Sequence, residues 1–166
     1  FCDVPTDAVF SNPDVDDIYR VPLVVEDEGL DAYVMDELGL RDESLPATER
    51  DRTWRETVTR EREGEVTVAL VGKYDLEDAY ISVHEALKHA GLEVGVDVNV
   101  AWVDADAADV YGNETLAAAD GVVVPGGFGA RGTGGKIAAV RHAREENVPY
   151  LGLCLGFQVA VVEHAR

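Results

Sequence analysis

A short apolar run, Val148-Pro149-Tyr150-Leu151, leads straight into Gly152-Leu153-Cys154-Leu155-Gly156-Phe157-Gln158, and a helix-like run continues to Arg166. This is the layout of a nucleophile elbow, in which a reactive side chain sits on a sharp strand-to-helix turn. The flanking glycines let the backbone take up strained angles and let a substrate come close. A cysteine there would stand at a helix N-terminus, where the dipole favours thiolate over thiol. The competing reading is a cysteine packed as a small hydrophobe at a strand end. G-x-C-x-G alone does not separate the two.

Upstream, from Val66, strand and helix patterns alternate. Val66 to Val71 reads as a strand ending in Gly72. Asp78 to Ala90 reads as a helix with Tyr80, Val83 and Leu87 on one face and Gly91 as its stop. Val96 to Val103 is the second strand, and a short helix near Glu114 to Ala119 precedes the buried-looking strand Gly121-Val122-Val123-Val124. A helix from about Lys136 to Glu146 then leads to the strand before Cys154. That order predicts an α/β fold, an open and mostly parallel sheet with helices on both faces.

Functional loops of such sheets lie at the carboxyl ends of strands. Three glycine-marked loops fall there: Gly72-Lys73-Tyr74, Pro125-Gly126-Gly127-Phe128-Gly129 and the Cys154 elbow. A thiolate attacking a carbonyl creates an oxyanion, which needs fixed donors about 3 Å away. The amides of a Gly-Gly turn can come that close, and the amide after the nucleophile, at Leu155, is the usual second donor. A flexible turn is the competing reading of the glycine loop. As a dinucleotide site it is weak, because no G-x-G-x-x-G opens a helix after the first strand. No metal-ligand constellation is present, and His84, His89, His142 and His164 each fall in a predicted helix as exposed or packed residues.

The first forty residues read as the end of a domain. Asp14 to Tyr19 follows a turn at Asn12-Pro13, Val21-Pro22-Leu23 ends that segment, and Leu30, Val34 and Leu38 repeat at helical spacing before Gly39. Residues 41–65 are highly charged, broken early by Pro46, with a short helix expected over Trp54 to Arg62. They read as an interdomain linker, with residues 66–166 forming the second domain. Phe1-Cys2-Asp3-Val4 carries no charged leader, so no signal peptide is expected and the chain looks cut from something longer. Cys154 is expected to be alkylated ahead of Cys2.

The charge balance narrows the partners. The chain has 14 basic and 33 acidic residues, a formal net charge of −19, yet 46% of it is hydrophobic. Regular apolar segments argue against disorder, so such a surface reads as that of a soluble protein adapted to high salt, where counterions screen self-repulsion. It repels nucleic acid and anionic membranes, so neither is an expected partner. The cysteine usage fits a reducing cytoplasm.

Pro125-Gly126-Gly127-Phe128-Gly129 together with Gly152-Leu153-Cys154-Leu155-Gly156-Phe157-Gln158 resembles the class I glutamine amidotransferases, a flavodoxin-like fold. The neighbouring residues resemble the CTP synthase family. Phe1-Cys2-Asp3-Val4-Pro5, Asp14 to Leu23 and Gly29-Leu30-Asp31 look like the end of its synthetase domain, an α/β unit. Ala69 to Tyr74, Asp78-Ala79-Tyr80 and Glu85 to Gly91 look like the start of its glutaminase domain.

The resemblance implies ATP-dependent amination of UTP to CTP with ammonia from glutamine. It makes Cys154 the nucleophile that forms a glutamyl thioester, and Gly127 and Leu155 the oxyanion amides. Gly127, Leu155, Gly156, Phe157 and Gln158 would line the glutamine pocket, and Pro13, Asp14 and Val15 would touch ATP. It further implies Mg2+ bound upstream of Phe1, GTP as an allosteric activator and a homotetramer. The family's histidine base and its acid, a His-x-Glu, lie downstream of Arg166, so the isolated chain is expected to hydrolyse little glutamine. Two other readings stand beside this one: an inactive remnant serving as a binding or assembly module, and another protein with a cysteine elbow.

Overall fold

The computed structural model describes residues 3–40, 49–74, 77–107 and 109–166. The chain divides into two compact units, Phe1–Arg60 and Glu61–Arg166.

In the first unit, Asp17 caps a 3-10 turn by accepting from the Tyr19 amide at 3.0 Å. Helix α1 (Val21–Asp27) follows directly. The expectation that Val21-Pro22-Leu23 ends this segment is therefore corrected. Proline sits in the first turn of α1, where its missing N–H costs nothing and its fixed φ suits a helix. Gly29, at φ 83°, turns the chain into α2 (Leu30–Glu37), and Gly39, at φ 62°, follows its end. Helix α3 (Glu49–Thr59) buries Val58 and is tied to α1 by Arg55, which donates to Glu26 at 2.7 Å and Asp27 at 3.1 Å.

The second unit is a four-stranded parallel sheet in the order β2-β1-β3-β4. Its strands are β1 (Glu65–Gly72), β2 (Asp97–Asp104), β3 (Gly121–Val124) and β4 (Tyr150–Gly152). They alternate with α4 (Ile81–Val94), α5 (Glu114–Ala117), α6 (Thr133–Glu145) and α7 (Leu155–His164). The open parallel α/β architecture expected from the sequence is the one observed.

Side chains of successive strand residues point to opposite faces, and the core divides accordingly. Ala69, Val71, Val122 and Val124 pack on one face with Ala139 and Val140 of α6 and Val159 of α7. Leu70 and Val123 pack on the other with Tyr80, Val83 and Leu87 of the α4 side. Arg144 on α6 joins the two helices of the first face by a two-pronged bond to Glu163 on α7, at 2.9 and 2.8 Å.

Gly91 does not stop α4. The helix runs on to Val94 and ends at Gly95, which takes φ 86°. Gly91 is instead a packing glycine, since a Cβ there would lie 2.7 Å from the Val96 carbonyl oxygen and 2.6 Å from the Val98 side chain.

The chain runs from β1 outward to β2, then crosses back to place β3 on the other side of β1. That reversal is a topological switch point, and it opens a crevice at the carboxyl ends of β1 and β3. The loop after β4 lies next along the same edge.

Candidate functional site

Cys154 is the N-cap of α7 and sits at φ 54°, ψ −108°. A non-glycine residue at such a φ is uncommon, and the conformation costs about 1–3 kcal/mol. The neighbours hold it there. Leu153 donates its amide to the Val124 carbonyl at 2.9 Å, Gly156 to Leu153 at 2.9 Å, and the Tyr150 hydroxyl donates to the Gly156 carbonyl at 2.7 Å. A Cβ on Gly152 would lie 2.6 Å from the backbone of Gly156 and Phe157, and one on Gly156 would fall on the Val124 carbonyl oxygen. Both glycines are therefore needed to fold the first turn of α7 back onto β3 and β4. The cysteine that results is exposed, not packed in a core.

The glycine loop after β3 touches this elbow. A Cβ built on Gly126 would lie 3.5 Å from Cys154 Cβ and 3.9 Å from its Sγ. Among the described residues the Gly127 and Leu155 amides donate no hydrogen bond within the chain. Leu155 is half-buried and Gly156 buried at the start of α7, while Phe157 and Gln158 are exposed. The residues picked from the second unit's sequence thus meet at one place.

Pro13, Asp14 and Val15 lie in the first unit as irregular chain. Asp14 and Val15 line a cavity of about 430 Å3 with Leu23, Val24, Arg20 and Arg55, and Pro13 does not line it. Cys2 lies outside the described residues. No hydrogen bond links Cys154 to a described histidine or carboxylate. His84 bonds Glu85 at 3.1 Å, and His142 is buried edge-on to Tyr111. His164 stands ten residues along α7 from the elbow, about 15 Å at the helical rise. Among the described residues no group of three His, Cys, Asp or Glu side chains is arranged to hold a metal. No described helix is long and apolar enough to cross a membrane.

The sequence named Lys73 and Tyr74 only as part of a glycine-marked loop, and Lys136 only as the start of a helix; their role as the loop's support was not read from it. Lys136, fully buried in the first turns of α6, donates to the Pro125 carbonyl at 2.6 Å and the Gly126 carbonyl at 2.9 Å. Lys73, buried at the end of β1, donates to the carbonyls of Phe128, Gly129 and Arg131. Tyr80 donates to the Gly126 carbonyl at 3.4 Å, and the Phe128 amide donates to the Tyr74 hydroxyl at 3.3 Å. One signal was present: the chain has only three lysines, and two of them flank glycine loops.

Burial pushes the Lys136 ammonium down to about 8, with the Lys73 charge adding to the effect and Cys154 opposing it. The Tyr150 hydroxyl is pushed up to about 12, by burial. These shifts have opposite signs in stability. Between about pH 8 and 10.5 the unfolded chain holds the lysine proton and the folded chain does not, so raising pH favours folding. Between about pH 10 and 12 the unfolded tyrosine ionises first, so raising pH disfavours folding. Chemical denaturation across this range is expected to show stability climbing by up to about 3 kcal/mol and then falling. Lys136→Met is expected to remove the climb and keep the fall.

The family model described as Glutamine amidotransferase class-I matches residues 75–166. That span is more than half of the chain, and the chain belongs to this family. It is also similar over all 166 residues to the CTP synthases of Haloarcula marismortui, at 68% identity, and Halobacterium salinarum, at 66%. The CTP synthase of Archaeoglobus fulgidus is 52% identical over 169 aligned positions. The chain spans about 30% of the length of these curated relatives. Among solved structures, the glutaminase domain of Trypanosoma brucei CTPS with bound acivicin superposes with a TM-score of 0.54 at 40% identity, covering 61% of this chain and 40% of that one.

Proposed function

We propose that the second unit carries the nucleophile of a glutamine-hydrolysing CTP synthase. The observation that carries this reading is Cys154, held at φ 54° and exposed, beside a glycine loop whose Gly127 amide is unpartnered within the described chain. The thiolate adds to the carboxamide carbon of glutamine, and the carbonyl electron pair moves to oxygen. The Gly127 and Leu155 amides donate to that oxyanion, which in a site shielded from water is a large contribution to rate. Collapse of the adduct breaks the C–N bond, ammonia leaves as it takes up a proton, and a γ-glutamyl thioester remains on Cys154. Water then releases glutamate. Gly156, Phe157 and Gln158 line the glutamine side of the elbow in this reading.

The ammonia would aminate UTP, activated by ATP, to give CTP. Asp14 and Val15 are proposed to meet ATP, because they wall a cavity in which Leu23 and Val24 offer an apolar face for a purine and Arg20 a cation. Pro13 is proposed as the flank of that loop. The described residues do not fit a Mg2+ site, so no step here is routed through one. GTP activation, a homotetramer and a cytoplasmic setting belong to the same proposal, as does the exclusion of nucleic acid and membrane partners, which rests on the net charge of −19.

The test is CTP formation by the full chain, with any further residues its gene encodes, in concentrated KCl with UTP, ATP and glutamine. The expected result is CTP and glutamate in equal amounts, with CTP formation dependent on ATP. Glutamate without any CTP would remove the synthase reading and leave only a glutaminase.

A further inference from the structure

The two lysines under the glycine loop are costly to bury. Neither has a carboxylate within ion-pair distance among the described residues. With no carboxylate beside it, an ammonium so placed depends chiefly on the carbonyls around it, helped by the Tyr74 ring over Lys73 and the Cys154 charge near Lys136. Those carbonyls are nearly all of the loop's own: Pro125 and Gly126 on Lys136, and Phe128, Gly129 and Arg131 on Lys73. In a trans peptide the carbonyl and the following N–H point in opposite directions. No cis bond occurs among the described residues. A Gly126 carbonyl fixed on Lys136 therefore turns the Gly127 N–H to the other side of the loop, where no described group accepts it.

Glycine at 127 leaves that plane free to rotate unless something grips it. The fit is also tight, since a Cβ on Gly127 would lie 2.7 Å from Lys73 Cε and 3.5 Å from Lys136 Nζ. Lys73 and Lys136 thus fill the space behind the loop while their ammonium groups collect its carbonyls.

We propose that Lys136 is a positioning residue for acyl transfer: it clamps the Pro125 and Gly126 carbonyls so that the Gly127 amide is presented, already oriented, to the oxyanion formed on attack by Cys154. The inference rests on the glutaminase reading above. It assigns Lys136 no contact with substrate.

Two reactions of the same cysteine separate this role from others. Alkylation of Cys154 by iodoacetamide is a displacement at a saturated carbon and forms no oxyanion. Glutamine hydrolysis forms one. In the full chain, Lys136→Met is expected to lower kcat for ammonia release by about 100-fold or more, the cost of a lost oxyanion donor. KM for glutamine should stay within about threefold of wild type, and the alkylation rate, which uses no oxyanion donor and loses only the nearby Lys136 charge, should fall far less than kcat. An unchanged kcat, or an alkylation rate that falls in step with kcat, overturns the proposal. If the methionine variant does not fold, Lys136→Gln, which keeps donors without the charge, is read by loop exchange and kcat together: the two must be kept or lost together, and a lost kcat with an unchanged loop overturns the proposal.

Amide hydrogen exchange over residues 125–132 reads the clamp without catalysis. Faster exchange confined to that loop in the variant supports it, and an unchanged loop overturns it. Should the wild-type protein, carrying every residue its gene encodes, release no ammonia while Cys154 is still alkylated, the glutaminase reading fails by itself and the exchange result alone decides whether Lys136 holds the loop.

Discussion

In the protein with every residue its gene encodes, Cys154→Ala is expected to lower glutamine-dependent ammonia release by at least about 10⁴-fold, the scale on which nucleophile removal acts in covalent hydrolases. Cys154→Ser is expected to be nearly as severe. A serine hydroxyl at this position has no described histidine or carboxylate hydrogen-bonded to it, and an unassisted alcohol is a far weaker nucleophile than a thiol at neutral pH. The loss is one of chemistry and not of folding. The side chain is exposed, and the elbow is shaped by Gly152, Gly156 and the Leu153 and Tyr150 hydrogen bonds. Added ammonium chloride is expected to restore CTP formation by the variant, because it supplies what the missing thioester step would have released. Retention of glutamine-dependent release in Cys154→Ala would place the nucleophile elsewhere.

Gly156→Ala is expected to act on the fold itself. Its Cβ would fall on the Val124 carbonyl oxygen, a backbone atom in the sheet that cannot step aside as a flexible side chain could. The first turn of α7 must then lift from β3, which strains the Leu153–Val124 bond and the Tyr150 bond to the Gly156 carbonyl. Overpacking against backbone costs about 3 kcal/mol. For a unit of this size that lowers Tm by roughly 12–24 °C. Gly134 offers the contrast within the same unit. It lies in the first turn of α6 with nothing near a would-be Cβ. Gly134→Ala is expected to raise stability by about 0.5–1 kcal/mol, through helix propensity and a less flexible unfolded chain. Thermal melts of the two variants side by side check both signs.

Much of this was legible in the sequence because each element carried its own local signal. The apolar, β-branched runs Val66 to Val71 and Gly121 to Val124, each bounded by glycine, read as strands and are strands. The glycines around Cys154 announced a turn too tight for side chains. Helix boundaries were less legible where a residue had two physical uses. Gly91 looks like a stop, but its missing Cβ admits Val96 and Val98, and Gly95 takes the left-handed conformation instead. Pro22 looks like a breaker and is a helix starter.

The candidate site's visible face, the glycine loop lying against Cys154, could be read from motif spacing. Its hidden side could not. Lys73 and Lys136 lie 63 positions apart in the chain, one at a strand end and one inside a helix. Only the parallel order β1-β3 brings both beneath one loop. The same holds for Tyr74 and Tyr80, whose hydroxyls reach Phe128 and Gly126 across the switch point. Helical spacing put Tyr80 on a core face, and it is there, but nothing local gives its hydroxyl a second task.

The central claim is that glutamine is opened by Cys154 through a thioester. Rapid acid quench of the full chain during glutamine turnover, followed by peptide mass mapping, tests it most directly. The expected result is a γ-glutamyl group on Cys154 that appears before steady state and is absent from Cys154→Ala. Ammonia released at full rate with no adduct on Cys154, or with the adduct on another residue, would contradict it.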